Sequence, residues 1–171
     1  MPLKHTKFYN ELLKLTTIGK SAFESCGGFT GDLSIPDGIT NLGIAAFYGC
    51  YGFNGKLTIG KGIKQINEAT FSHCNFVGEL IIPDNIESIG QGTFSYSKYT
   101  ALTLGKGLKS IGYAAFYDNE LQTVKCYAII PPVTTNYNFN ILSFNLFVPL
   151  ESIDLYKNAE GWKDAKSIKS L

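Results

Sequence analysis

The side chains able to do chemistry fall into a few groupings, and spacing decides what each can do. Four cysteines stand at Cys26, Cys50, Cys74 and Cys126, and a histidine precedes one of them as His73-Cys74. Thiolates hold zinc, pair as disulfides or attack electrophiles. A structural zinc site draws its ligands from close pairs, yet no two cysteines are spaced C-x2-C and the only histidines are His5 and His73. Adjacent residues do not face each other, so His73-Cys74 lacks the geometry of a nucleophile and its base, which meet in space rather than in sequence. The run Gly55-Lys-Leu-Thr-Ile-Gly-Lys61 satisfies G-x-x-x-x-G-K, but Gly62 follows where a hydroxyl should meet magnesium. Strand-forming Leu57 and Ile59 lie inside that motif instead of before it. The acids show none of the pairing a glycoside hydrolase uses. The sequence predicts no catalytic residue, no metal and no cofactor.

What positions these residues is a repeat. Cys26, Cys50 and Cys74 recur every 24 residues, and Phe23, Phe47, Phe71, Phe94 and Phe116 recur at gaps of 24, 24, 23 and 22. Ile18, Leu42, Ile66, Ile89 and Ile111 each lie five residues before one of those phenylalanines. Leu33, Leu57, Leu80 and Leu102 each have an apolar partner two residues on, and Val124 with Cys126 continues the pair. Two apolar residues at i and i+2 have strand period. Two columns are Gly or Asn: Gly38, Gly62, Asn85, Gly107, and Gly19, Gly43, Asn67, Gly90, Gly112. Those residue types tolerate positive φ, so both columns predict tight bends. One such coil cannot bury its apolar side alone, whereas a stack shares a continuous core.

Opposite charges mark the register. Asp37, Lys61, Asp84 and Lys106 alternate at one repeat position, and Lys64, Glu87 and Lys109 at another. Stacked coils at about 4.8 Å spacing bring each charge against an opposite neighbour. The cysteine column continues as Ser97 and Asn119, which predicts a buried turn position with free thiols. Phe29, Phe53, Phe76 and Tyr99 form a second ring column, read either as outer core or as an exposed stacking platform.

Composition narrows the function classes. Of 171 residues, 44% are hydrophobic and 17% charged, which excludes intrinsic disorder. The net charge is +1 and every basic residue is lysine, so nothing draws the chain to nucleic acid. No apolar run approaches the roughly 18 residues that span a bilayer, so the chain is not membrane-spanning. Residues 1–10 have no apolar stretch of the secretory type, so the chain is either made without a signal or is a trimmed fragment.

The segment Leu33-Ser-Ile-Pro-Asp-Gly-Ile-Thr-Asn-Leu-Gly-Ile-Ala-Ala-Phe-Tyr-Gly-Cys50 resembles the BspA-like class of leucine-rich repeats. The tail from Phe147 to Trp162, preceded by Ile130-Pro131-Pro132, is similar to the end of bacterial surface proteins carrying such arrays. The resemblance implies an α/β-type, β-rich, right-handed solenoid of coils 22–24 residues long with parallel strands. Residues 1–17 read as an N-terminal cap or partial coil, 18–127 as about five repeats, and 128–171 as a degenerate coil and C-terminal cap. Phe8, Leu12 and Leu15 at i, i+4 and i+7 predict a short helix over the first coil. The family implies a noncatalytic protein of the cell surface or secreted space, adhering to a protein or glycan ligand, with a structural spacer as the alternative. The outward strand column Ser34, Thr58, Ile81, Thr103 and Lys125 is the candidate partner-binding face, set against a plain solvated β-face whose threonines serve strand propensity. Oligomeric state is not legible in these residues.

Overall fold

The computed structural model describes residues 15–134, 137–139 and 144–171. The helix expected from Phe8, Leu12 and Leu15 therefore lies, but for Leu15, outside the described residues. The rest is a parallel-strand solenoid of about seven turns. Each turn contributes a longer strand to one side and most contribute a short one to a second side. The longer strands are β2 (Gly31–Ile35), β4 (Phe53–Ile59), β6 (Val77–Ile82), β8 (Lys98–Leu104), β10 (Thr123–Cys126), β11 (Asn145–Val148) and β12 (Ser167–Ser170). The short ones are β1 (Thr17–Ile18), β3 (Asn41–Leu42), β5 (Gln65–Ile66), β7 (Ser88–Ile89) and β9 (Ser110–Ile111). Like residues pair across turns, as in the inward row Leu80, Leu102, Val124, Leu146 and Ile168. The turns after residue 127 thus add two further strands, β11 and β12, to the same sheet.

The third side carries the phenylalanine column and has a hydrogen-bond scheme of its own. Alternate amides reach the next turn: Ala45 N–H donates to Glu68 O at 3.0 Å, Phe47 to Thr70 O at 2.9 Å and Gly49 to Ser72 O at 2.9 Å. The amides between them close local turns, such as Tyr48 to Ala45 O at 3.1 Å. On the other two sides, amides just beyond the strands donate backwards, Gly43 to Ile18 O and Gly105 to Ile82 O among them.

This scheme places the left-handed backbone where the sequence reading did not. Most positive φ angles fall on Ser21, Ala45, Ala69, Gly92 and Ala114, and again four residues on at Ser25, Gly49, His73, Tyr96 and Asp118, with Gly31, Asn75, Gly78 and Gly161 besides. The two Gly/Asn columns expected to bend that way keep negative φ and are small for another reason. A Cβ on Gly107 would stand 2.1 Å from Asp84 O, and one on Gly90 2.5 Å from Glu68 N. Backbone of the preceding turn occupies the space. The asparagines in these columns exploit the same closeness, Asn67 Nδ2 donating to Leu42 O and Asn85 Nδ2 to Ile63 O.

Those substitutions coincide with breaks in the sheets. The short strands pair as β1-β3 and β5-β7-β9, and the long ones as β2-β4 and β6-β8-β10-β11-β12. At the first break the Asn67 side chain takes the carbonyl that a glycine amide takes elsewhere, as Gly90 takes Ile66 O. At the second, Pro83 has no N–H, whereas Gly105 and Tyr127 at the equivalent position donate to Ile82 O and Leu104 O. The third side and the core run through without a gap. Ring centroids are 5.5 Å apart for Phe47–Phe71 and 5.0 Å for Phe53–Phe76.

The second ring column is interior from Phe53 on, with Phe53, Phe76 and Tyr99 buried and only Phe29 of the first turn exposed. It is core, not a platform. The C-terminal end is closed by a single 3-10 turn, Leu150–Ser152, and α1 (Ile153–Asn158), which carry fully buried Tyr156 and lead to fully buried Trp162. Tyr156 Oη donates to Ala128 O at 2.8 Å, and Trp162 Nε1 to Pro132 O at 2.9 Å, so both rings keep their polar atoms satisfied inside.

Candidate functional site

Each chemically capable residue now has a place. Cys74 points inward and its thiol donates to Phe47 O at 3.0 Å, as Cys50 does to Phe23 O at 3.0 Å. All four cysteines are free. Burial pushes the Cys74 thiol up to about 12, and the Cys50 and Cys126 thiols are also raised by burial, so none of the three is a thiolate at neutral pH. His73 goes the other way, its ring stacked on Tyr96 at 4.2 Å on the outer surface. The pair His73-Cys74 is thus split between surface and core. Gly55 to Ile59 lie within β4, so the G-x-x-x-x-G-K run has no loop to cradle phosphate. Among the described residues, no three His, Cys, Asp or Glu side chains gather as metal ligands.

Most of the alternating charges pair as their columns predict, whereas Lys61 meets Asp37 only through its backbone amide. Lys64 and Lys109 both pair with Glu87, at 3.4 and 2.7 Å, and Lys106 with Asp84 at 3.6 Å. The aspartates also accept backbone amides one turn on, Asp37 from Lys61 at 2.8 Å and Asp84 from Lys106 at 3.0 Å.

The outward column lies on the long-strand face. Ser34 is level with Thr58, and Ile81 with Thr103 and then Lys125. Thr103 Oγ1 donates to Glu79 Oε1 at 2.7 Å. Thr58 and Ile81 flank the break between β4 and β6, where a groove of about 260 Å³ opens, walled by Lys56, Thr58, Glu79, Ile81 and Pro83. Ile81 is 54% exposed beside it. The row continues to Phe147 and Lys169, which the sequence reading did not include. The signal was present, since Leu146-Phe-Val-Pro149 repeats the pattern of Leu33-Ser-Ile-Pro36.

A second surface feature also escaped the sequence reading. Around stacked His73 and Tyr96 stand Tyr48, Tyr51 and Tyr117, at 5.4 and 6.2 Å from His73 and 5.7 Å from Tyr96 respectively. Beside them runs a groove of about 370 Å³. His73, Tyr96 and Asp118 of this surface sit two positions after a core phenylalanine, a column that looks like mere turn in the letters.

Stacked parallel turns with these columns have a counterpart among known families. The BspA type leucine-rich repeat region matches residues 16–143 in six copies. The chain belongs to that family. Two solved structures share the fold of this BspA-type array. One is the leucine-rich repeat protein of T. pallidum, 23% identical, with a TM-score of 0.60 over 92% of this chain and 64% of that one. The other is a leucine-rich repeat protein from Bacteroides ovatus, 14% identical, with a TM-score of 0.52 over 92% of this chain and 52% of that one. The BspA-type array thus spans under two thirds of the length of either. No curated protein matches its sequence. No helix among its described residues is long and apolar enough to cross a membrane.

Proposed function

We propose that the chain is a noncatalytic interaction module of the cell surface or secreted space, holding a protein or glycan ligand on its long-strand face and needing no cofactor. The observation that carries this reading is the groove at the break between β4 and β6. An exposed isoleucine beside a groove, on a face otherwise made of hydroxyls and lysines, is an anchor with a polar surround. Ser34, Thr58, Thr103 and Lys125 supply that surround, and the solenoid keeps them on one rigid surface.

The test is an array of extracellular-matrix proteins and glycans probed with the wild-type chain and with Ile81→Lys and Thr58→Lys. Both changes are at exposed positions and should leave the melting temperature within a few degrees. Binding of a partner, weakened about tenfold or more by Ile81→Lys, is the expected outcome. Partner binding untouched by both substitutions would remove the long-strand face from the reading. A spacer is favoured by one observation, the unbroken stacking of the phenylalanine column from turn to turn, which sets length without calling on any surface. A chain that binds nothing on the array would leave that reading standing.

A further inference from the structure

The aromatic strip on the third side is a surface that neither the core nor the long-strand face explains. Its central column is Gly49, His73, Tyr96 and Asp118, with φ of 69°, 58°, 55° and 58°. Five successive turns have left-handed backbone there, the first at Ser25. Glycine adopts that backbone without a steric penalty, as at Gly49, histidine and aspartate tolerate it better than most, and a tyrosine there is an outlier. Two successive turns nonetheless carry rings at the strained position. Strain of this kind persists where the side chain has a use.

The rings are directed outward. His73 and Tyr96 stack at 7° to each other, and Tyr48, Tyr51 and Tyr117 meet this pair nearly edge-on. Tyr51 is 57% and Tyr96 42% exposed, so both offer ring surface to solvent. The groove beside them is completed by Asn75, Lys98, Asp118 and Glu120. It crosses several turns, each stepping about 4.8 Å along the axis. Its lining combines flat rings with ammonium, amide and carboxylate groups. Two carboxylates against one lysine disfavour a polyanion. Few apolar side chains stand there to anchor a protein. A pyranose fits both halves of the lining, since its C–H face packs on a ring while its hydroxyls donate to carboxylates and accept from ammonium and amide.

We propose that this groove binds a neutral oligosaccharide lying along the solenoid axis, stacked on Tyr51, packed against the edge of Tyr96 and held through its hydroxyls by Lys98 and Glu120. The site rests on the reading of the chain as an interaction module but lies on a different face from Ile81.

The test uses the full chain against a printed array of neutral hexose and N-acetylhexosamine oligosaccharides, with titration calorimetry on whichever is bound. The variants are Tyr51→Ala, the double change His73→Gly with Tyr96→Gly, and Ile81→Lys. The double variant relaxes the backbone, so it should melt no lower than wild type while losing binding. Tyr51→Ala should weaken binding about tenfold, the scale of one lost aromatic stack. Ile81→Lys should leave the oligosaccharide constant unchanged. Failure to bind any oligosaccharide, or binding that survives both aromatic variants, overturns the proposal. Oligosaccharide binding lost only with Ile81→Lys also overturns it, while leaving the long-strand face as the binding surface.

Discussion

Ser97 stands in a column whose other members reach further. Cys50, Cys74 and Asn119 each donate to the carbonyl of a phenylalanine one turn back, Asn119 to Phe94 O at 2.9 Å. Ser97 Oγ is buried with no partner. A buried hydroxyl left unpaired costs about 1–3 kcal/mol. Ser97→Cys should therefore stabilise the chain by about 1 kcal/mol, read as a higher urea midpoint at unchanged slope. Glu87 gives a pH effect at the same scale. Hydrogen bonds and charge from Lys109 and then Lys64 hold its carboxyl below the usual range. The stability it contributes is present above the ordinary glutamate value of about 4.3 and is lost as the pH falls through the lowered one. The Tm difference between wild type and Glu87→Gln should accordingly be largest near neutral pH and shrink on acidification or in high salt. The Glu87 side chain is only partly exposed but both lysines stand in solvent, so screening keeps the difference small.

Strands and bends were legible to different degrees. The i, i+2 apolar pairs located β2, β4, β6, β8 and β10 because strand period leaves a direct mark on the letters. The glycine columns were located correctly but given the wrong cause, because a missing Cβ serves both for positive φ and for close approach. The two causes predict opposite mutations. Gly90→Ala drives a Cβ to 2.5 Å from Glu68 N and should cost several kcal/mol, on the order of other overpacked sites. Ala69→Gly, at φ 52°, removes strain and should be neutral or stabilising where a glycine elsewhere costs about 0.5–1 kcal/mol. Thermal melts of the two variants separate the explanations. The alternation of Pro36, Gly60, Pro83 and Gly105 reads as a two-coil rhythm, and at Pro83 it coincides with a break in the sheet. Nothing in the letters distinguishes a missing donor that interrupts a ladder from one that does not. The aromatic strip was hidden for a related reason, since a surface column carries no required residue type and His73, Tyr96 and Asp118 share no letter.

For the whole array, stability is the sum of each turn and its contacts with the next, and the last turn has only one neighbour. Trp162 and Tyr156 close that end, their rings 5.5 Å apart and nearly perpendicular. Trp162→Ala should cost about 3–5 kcal/mol, the scale for emptying a buried aromatic site, and should loosen β11 and β12 before β8. Amide exchange resolved along the chain checks both the size and the order of the loss. Equal acceleration in every strand would show that the array opens as one unit.

The opposed hydrogen bonds of the solenoid bear on how such arrays lengthen. The amides of the third side that bond between turns point towards the following turn, while those beyond the strands on the other sides point back. Their peptide dipoles run against each other along the axis. An α-helix adds every dipole in one sense and builds up partial charge at its ends. Here an added turn contributes dipoles of both senses, so the ends of a long array need no counter-charge.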